Sequence, residues 1–200
     1  MMGNKTNNDS HNIMELIDKH SVGAEIGVWY GSSSRRFLGR GVSKLYLVDA
    51  WHYEPYKNST EHGDYASYLE RYKNVCGGKT ESDFKKKYDE VYKAVVKEFG
   101  DNEKVVIERM TSDEWFAKFD GELDWIYVDG AHSYEGCLSD LENAIKIIKK
   151  GGLILGDDYK WPKQPHGKPG VTKAVDEFCE NHGLKKKLTQ HGKVQFSIRI

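Results

Sequence analysis

The chain has 200 residues, with 30 basic and 31 acidic side chains and a formal net charge of −1. That length suits one domain, and interspersed charges of both signs argue against a nucleic-acid partner or a membrane-surface role. No apolar run approaches the ~20 residues that cross a bilayer, and the polar first residues show no secretory signal. The three cysteines are far apart and fit neither a disulfide framework nor a zinc pattern, so we expect a reducing, cytoplasmic compartment.

Hydrophobic patterning divides the chain into alternating strands and helices. Residues 1–10 are polar and Asn-rich and predict a disordered tail, which leaves residues 11–200 as one domain. Buried parallel strands are predicted over 24–30, 44–50, 104–110, 123–131 and 153–159. Helices are predicted over 11–20, 32–38, 64–75, 81–99, 111–119, 133–150 and 171–183. Residues 185–190 and 193–200 flank a His-Gly turn and predict a terminal hairpin.

Strands that alternate with helices predict an α/β fold with a doubly wound, mostly parallel, Rossmann-like sheet. The terminal hairpin would add at least one antiparallel strand at an edge of that sheet. The segment between the second and third strands, about residues 52–103, is longer than the single helix that a parallel crossover needs. We therefore expect a helical insertion there, and we leave open whether it closes over the site as a lid or mediates a homodimer.

The predicted parallel strands end in glycine or polar residues, and in such sheets ligands bind beyond the carboxyl ends of the strands. The residues at these ends are, in chain order, Gly27 to Gly31 with Ser32, then Asp49, then Thr111 and Ser112, then Asp129 to His132, and finally Asp157 and Asp158. Polar groups therefore gather at one rim of an otherwise apolar sheet. We predict that this rim is the binding site.

The glycine turn after the first strand distinguishes two kinds of cofactor. Dinucleotide sites use G-x-G-x-x-G to seat a pyrophosphate, whereas this chain has Glu25-x-Gly27-x-x-x-Gly31. An acid at position 25 suits a cationic amino group better than a pyrophosphate. Asp49, about twenty residues further on, suits the two hydroxyls of a ribose. The alternatives are a tight turn with Glu25 exposed, and Asp49 as a plain cap.

The segments EIGVWYGSSS, LYLVDA, WIYVDGAHSYEG and GGLILGDDY together resemble the class I S-adenosylmethionine-dependent methyltransferases. The resemblance runs from about Gly23 to the terminal hairpin. Within that class the chain is most similar to small O-methyltransferases with a D-G-x-H-S-Y motif and also resembles the macrocin-type sugar O-methyltransferases, whereas no motif matches residues 52–103. The cofactor-binding residues that it implies are Glu25, Gly27, Gly31 and Ser32 for the methionine part, Asp49 for the ribose, and Thr111 or Ser112 for the adenine.

Three acids, Asp129, Asp157 and Asp158, end two different strands and would converge if those strands are neighbours. Like charges in one place are costly without a counter-ion, and a hard divalent cation with oxygen ligands, Mg²⁺ above all, removes that cost. The resemblance agrees, since metal-dependent O-methyltransferases carry acids at these strand ends. The alternative is that one aspartate caps the next helix and another binds backbone amides.

Methyl transfer to oxygen needs a hydroxyl that loses its proton. His132 is the predicted base, since a neutral imidazole can accept a proton near pH 7, and Asp129 is predicted to act beside it. The predicted acceptor is a hydroxyl of a small molecule or sugar, held between the loop with Trp161 and His166 and the aromatic segment 50–68. The alternatives are His132 as a helix cap, a metal-independent methyltransferase, a dinucleotide-dependent oxidoreductase, and a non-catalytic module with the same fold.

Overall fold

The computed structural model describes residues 13–59, 61–160, 170–191 and 193–200. The predicted tail at residues 1–10 lies outside the described residues, as do Trp161 and His166 of the predicted acceptor loop.

In the described chain, seven strands form one sheet in the order β3-β2-β1-β4-β5-β7-β6. The strands are β1 (Val22–Ile26), β2 (Lys44–Asp49), β3 (Val105–Arg109), β4 (Leu123–Val128), β5 (Ile148–Gly156), β6 (Lys186–His191) and β7 (Lys193–Arg199). The strands β1 to β5 are parallel, and β7 lies antiparallel between β5 and β6. The predicted doubly wound, mostly parallel sheet with a C-terminal antiparallel hairpin is therefore confirmed. Its strand order reverses between β1 and β4.

Polar side chains cap the starts of four helices of the described residues. The helices are α1 (Ser32–Gly39), α2 (Tyr65–Cys76), α3 (Glu81–Phe99), α4 (Ser112–Lys118), α5 (Tyr134–Ile147) and α6 (Gly170–Asn181), with short 3-10 helices at Ile13–Leu16 and Glu54–Lys57. Thr80 with Asp83, and Thr111 with Glu114, form capping boxes at the starts of α3 and α4. None of these helices combines the length and the apolarity that crossing a bilayer would need.

The two glycines after the predicted helix 133–150 lie inside a strand, which corrects that boundary. Helix α5 ends at Ile147, and β5 begins at Ile148, which pairs with Leu123. The pairing register between β4 and β5 then shifts, and Gly151 in the shifted segment has a φ of 83°. Glycine adopts such a backbone without strain, so the glycines accommodate a bulge rather than end the helix.

The predicted helix over 11–20 is reduced, in the described residues, to the 3-10 turn Ile13–Leu16. The chain then turns at His20, which has a φ of 63°, and enters β1 at Val22. Ile13 and Ile17 are nevertheless buried. The early reversal into β1 leaves no length for further helical turns.

Each side of the sheet has its own apolar layer because alternate residues of a strand face opposite sides. Trp125 and Tyr127 of β4 pack on one side with α1 and α3, whereas Ile126 and Val128 pack on the other side with α4, α5 and α6. The buried residues of α3 are Phe84, Tyr88, Val91, Val95 and Phe99. The predicted helical insertion is confirmed, and its helix α3 is a core element that connects β2 to β3.

Candidate functional site

The carboxyl ends of β1 and β4 approach each other closely at Gly27. The main-chain N–H of Gly27 donates to Val48 O at 2.9 Å, and that of Asp129 donates to Ile26 O at 2.9 Å. Gly27 has a φ of 85°, and a Cβ atom there would clash with the Asp129 carbonyl and lie 2.6 Å from the Gly130 Cα. Only glycine fits this position. The backbone of the β4 loop is the immediate reason for the glycine, and cofactor contact by Gly27 stays a prediction.

Asp49 organises the turn that follows β1. Its Oδ2 accepts the main-chain N–H groups of Val28 at 3.0 Å and Trp29 at 2.9 Å, and its Oδ1 accepts that of Trp51 at 2.7 Å. Trp29 and Trp51 both have positive φ angles, 50° and 39°, a strained backbone that clusters at functional sites. Asp49 therefore caps main-chain N–H groups, as the alternative to ribose binding predicted. A carboxylate has about four acceptor positions, so the predicted ribose contact is compatible with these three bonds.

Glu25 is buried in β1, with 2% of its surface exposed, so the alternative of an exposed Glu25 is wrong. The Ser34 hydroxyl of α1 donates to its Oε2. Burial raises the pKa of Glu25 well above its usual range; the Ser34 hydrogen bond opposes this, and the charges of Asp129 and Asp49 add to it. Three acids thus lie near one another at the switch point of the sheet, and a cationic ligand group would relieve their repulsion.

Gly31 and Ser32 stand at the start of α1. Gly31 is the N-cap with a φ of 72°, and a Cβ atom there would collide with the ring of Phe99 from α3. The approach of α3 therefore explains Gly31, whereas Ser32 is exposed at the same rim. Contact of either residue with the methionine part of a cofactor stays a prediction.

Thr111 and Ser112 have different roles after β3. Thr111 is the N-cap of α4, and its Oγ1 accepts the Glu114 main-chain N–H at 3.3 Å. Ser112 is hydrogen-bonded to Asp140 of α5, an acid that sequence reasoning missed and that is only 1% exposed. Burial raises the pKa of Asp140 to about 7, against the Ser112 hydrogen bond. The sequence does carry a signal for Asp140, because it is an acidic residue on the apolar, inward face of the amphipathic helix α5.

Asp129, His132 and Asp158 form a compact cluster beyond β4 and β5. One ligand atom from each lies within 4.8 Å of the others. His132 Nε2 lies 2.8 Å from Asp158 Oδ2 and 3.7 Å from Asp129 Oδ1. Two carboxylates and an imidazole at this spacing suit one divalent cation: carboxylates favour Mg²⁺ or Mn²⁺, and imidazole is a common ligand of transition metals. The donor set therefore fits a metal.

Asp157, the third predicted metal ligand, is not one of the three clustered residues. Its Oδ1 accepts the main-chain N–H of Asp158 at 2.9 Å, which is the backbone role that the alternative foresaw. Asp157 nevertheless lies at the same rim. Burial raises the pKa of the Tyr127 hydroxyl most, and the nearby charges of Asp129 and Asp157 raise it further. Metal binding by Asp157 and by Asp158 stays a prediction.

His132 lies among three carboxylates. Burial lowers its pKa, but hydrogen bonds to Asp129, Asp158 and Glu61 outweigh this and raise the pKa well above its usual value. Ser133, and not His132, caps α5, since its Oγ accepts the Gly136 main-chain N–H at 3.2 Å. The helix-cap alternative for His132 is therefore wrong. A base role for His132 stays a prediction, and it would require its proton to leave first.

Glu61, from the insertion, was missed by sequence reasoning and is a neighbour of His132. Its Oε2 accepts the main-chain N–H of His132 at 3.1 Å, and its Oε1 lies 3.3 Å from His132 Nδ1. The segment around it reads as a polar turn, so neither periodicity nor motif spacing singles it out. The contact arises from the folding of the insertion against the loop after β4.

Comparison with known proteins gives matches of several kinds. A family model described as a methyltransferase domain matches residues 24–159. An uncharacterized protein of Acanthamoeba polyphaga mimivirus is 34% identical over 59 residues, which make up 28% of this chain and only 26% of that protein.

Solved structures share the fold over most of this chain. A proposed caffeoyl-CoA O-methyltransferase from Staphylococcus aureus has a TM-score of 0.57 at 15% identity, over 90% of this chain and 76% of its own. Fibrillarin from Aeropyrum pernix, with natively bound S-adenosyl-L-methionine, has a TM-score of 0.57 at 10% identity, over 90% of this chain and 67% of its own. At such identities the likeness establishes the fold.

Proposed function

We propose that this chain, which belongs to the methyltransferase-domain family, is an S-adenosylmethionine-dependent enzyme. It would methylate a hydroxyl of a small molecule or sugar with the help of a divalent cation. The observation that carries the proposal is the cluster of Asp129, His132 and Asp158. It lies on the loops beyond β4 and β5, beside the Gly27 turn where β1 and β4 meet. The cofactor and the cluster would thus share one rim.

The cofactor would lie across the ends of β1 and β2. Buried Glu25 would hold the cationic amino group of the methionine part, because that charge favours the ionised form of the carboxyl. Asp49 retains acceptor capacity for a ribose hydroxyl. Ser112 and Thr111, at the start of α4, lie on the side where the adenine is expected. We expect the Gly27 and Gly31 turns to bring the backbone close to the ligand, and Ser32 is exposed at the same rim.

Asp129, His132 and Asp158 would hold the cation, with Asp157 beside them. Such an ion, most simply Mg²⁺, orients the acceptor hydroxyl and lowers its pKa. Asp129 is the most open member, with 26% of its side chain exposed against 3% for Asp158. A His132 ring that binds the cation through Nε2 and faces Glu61 through Nδ1 has no nitrogen free to act as the predicted base. With the cation bound, we therefore expect Asp129 both to meet the acceptor and to accept the hydroxyl proton.

The chemical step is an in-line displacement. A bond forms between the acceptor oxygen and the methyl carbon while the bond between that carbon and the sulfonium sulfur breaks, and the hydroxyl proton goes to the base. The protein contributes chiefly by aligning the two reactants. The aromatic residues between 50 and 68 would form one wall of the acceptor pocket.

Two experiments test this proposal. Calorimetry with S-adenosylhomocysteine should show micromolar binding, and NAD should not bind. Methyl transfer from labelled S-adenosylmethionine to a panel of sugars and phenols should then lose most of its rate in excess chelator. Full activity in chelator would favour the metal-independent alternative, and NAD binding without S-adenosylhomocysteine binding would favour the oxidoreductase.

The compartment and the assembly remain predictions. Cys76, Cys137 and Cys179 are all free thiols, which agrees with a reducing, cytoplasmic compartment. A homodimer through the insertion is supported only by exposed Val75 on α2 and Val96 on α3, and light scattering on the purified protein tests it.

A further inference from the structure

Glu61 belongs to the insertion, between the 3-10 helix Glu54–Lys57 and α2, yet its carboxylate reaches the loop after β4. Its side chain is only 6% exposed. Both carboxylate oxygens are used on His132: Oε2 accepts the main-chain N–H at 3.1 Å, and Oε1 faces ring Nδ1 at 3.3 Å. One carboxylate thus fixes the backbone and the ring of the same residue.

The ring orientation follows from this contact. With Nδ1 directed at Glu61, the opposite nitrogen Nε2 is directed at Asp158 at 2.8 Å and Asp129 at 3.7 Å. A histidine that binds a metal through one nitrogen usually donates its other ring N–H to a carboxylate or carbonyl, which sets the tautomer and the ring plane. Glu61 stands where such a partner would stand.

Glu61 is itself held by a rigid support. His62 Nε2 lies 3.2 Å from Glu61 Oε1, and the buried His62 ring stacks on Tyr68 with ring centroids 5.5 Å apart. Tyr72 meets the same ring edge-on at 5.3 Å. These contacts hold the Glu61 carboxylate in place as an acceptor.

We propose that Glu61 is a positioning residue of the metal site: it orients His132 so that Nε2 completes, with Asp129 and Asp158, the ligand set for a divalent cation. The inference rests on the proposed function, because it requires the cluster to bind a metal. The insertion would then have a second role besides contributing to the core: its Glu61 would orient a metal ligand, His132. A competing explanation is that Glu61 only docks the insertion onto the domain.

The first test measures binding of Mn²⁺ alone to the full chain by calorimetry. Glu61→Gln should weaken Mn²⁺ binding tenfold to a hundredfold, the usual cost of losing such an outer partner, and should leave the S-adenosylhomocysteine affinity within about twofold. Glu81→Gln is the matched control. It lies in the same insertion and contacts Tyr53, Tyr65 and Lys57, so both affinities should stay as in the wild type.

A double-mutant cycle separates positioning from docking. In a His132→Ala background, Glu61→Gln should cause no further loss of Mn²⁺ affinity, because its effect passes through His132. A loss of equal size in both backgrounds would overturn the inference, as would unchanged binding in Glu61→Gln. If the wild type binds no Mn²⁺ at millimolar concentration, the metal site and this inference both fall, while S-adenosylhomocysteine binding still reports separately on the methyltransferase assignment.

A measurement on the unaltered protein covers the case in which the variants do not fold. In ¹⁵N-histidine-labelled wild type, saturating Mg²⁺ should shift the Nε2 resonance of His132 while Nδ1 keeps its proton. A ring that keeps its proton on Nε2 at saturation would overturn the inference.

Discussion

The carboxylate Oδ2 of Asp158 lies 2.8 Å from His132 Nε2 and joins the loops that follow β5 and β4. The two strands are parallel neighbours with Val128 opposite Gly156, so residues just beyond these positions meet at one rim. The sheet topology therefore builds the cluster from residues that are distant in sequence.

Asp158→Asn tests which aspartate after β5 holds the cation. The change removes a charged ligand from the cluster, so Mn²⁺ affinity measured by calorimetry should fall tenfold or more. Asp157→Asn is the control, since its Oδ1 can still accept the Asp158 main-chain N–H; we expect a smaller loss. A loss at Asp157 as large as that at Asp158 would favour the ligand set predicted from the sequence, Asp129, Asp157 and Asp158, over the observed cluster.

Gly27→Ala tests the close approach of β1 and β4. The new Cβ would meet the Asp129–Gly130 backbone at a φ of 85°, so the free energy of unfolding should fall by at least ~2 kcal/mol. Urea denaturation measures it. Gly39→Ala, at the end of α1 where nothing lies within 4 Å of a new Cβ, should change stability by less than ~1 kcal/mol. Equal effects at the two glycines would contradict the packing argument.

Much of the fold could be predicted because it depends on local patterns. The strand segments are apolar runs. Helix α3 begins at the predicted residue 81 because Thr80 and Asp83 form a capping box there, and it ends at the predicted residue 99. The sequence does not reveal the strand order, yet the rule that ligands bind at carboxyl ends singles out the rim at which Asp49, Asp129 and Asp158 lie.

The remaining site features depend on contacts that no local pattern encodes. Glu61 meets His132 only because the insertion folds against the loop after β4. The sequence predicts both Asp157 and Asp158 as ligands, whereas the cluster includes Asp158 and not Asp157. Asp140 is inward on α5, and its partner Ser112 comes from a different helix.

Asp140 should make the stability of the protein depend on pH. Its pKa in the folded protein is about 7, whereas an aspartate in the unfolded chain titrates near ~3.9. Folding therefore favours the neutral carboxyl, and this contribution is complete below pH ~4 and is lost as the pH rises to about 7. The free energy of unfolding should fall over this window by up to ~4 kcal/mol, at ~1.36 kcal/mol for each pH unit.

Asp140→Asn should remove that slope, because the amide does not titrate. Urea denaturation of both proteins between pH 4.5 and pH 8 measures the difference, and the variant should be the more stable protein at the alkaline end. Asp101→Asn, at an exposed aspartate that is not among the groups shifting the pKa of Asp140, should keep the wild-type slope. Parallel curves for wild type and Asp140→Asn would show that the buried carboxyl does not control stability here.

Glu25→Gln should separate cofactor binding from stability. The amide can still accept the Ser34 hydroxyl, and it removes a buried ionisable group next to two other acids, so the free energy of unfolding should stay the same or rise. The S-adenosylhomocysteine affinity should fall tenfold to a hundredfold, because a charge-assisted hydrogen bond to the amino group is worth ~1.5–3 kcal/mol. Calorimetry measures the affinity and urea denaturation the stability. Glu142→Gln, which loses only its pair with His182, should bind as the wild type does; an unchanged affinity in Glu25→Gln would remove Glu25 from the cofactor site.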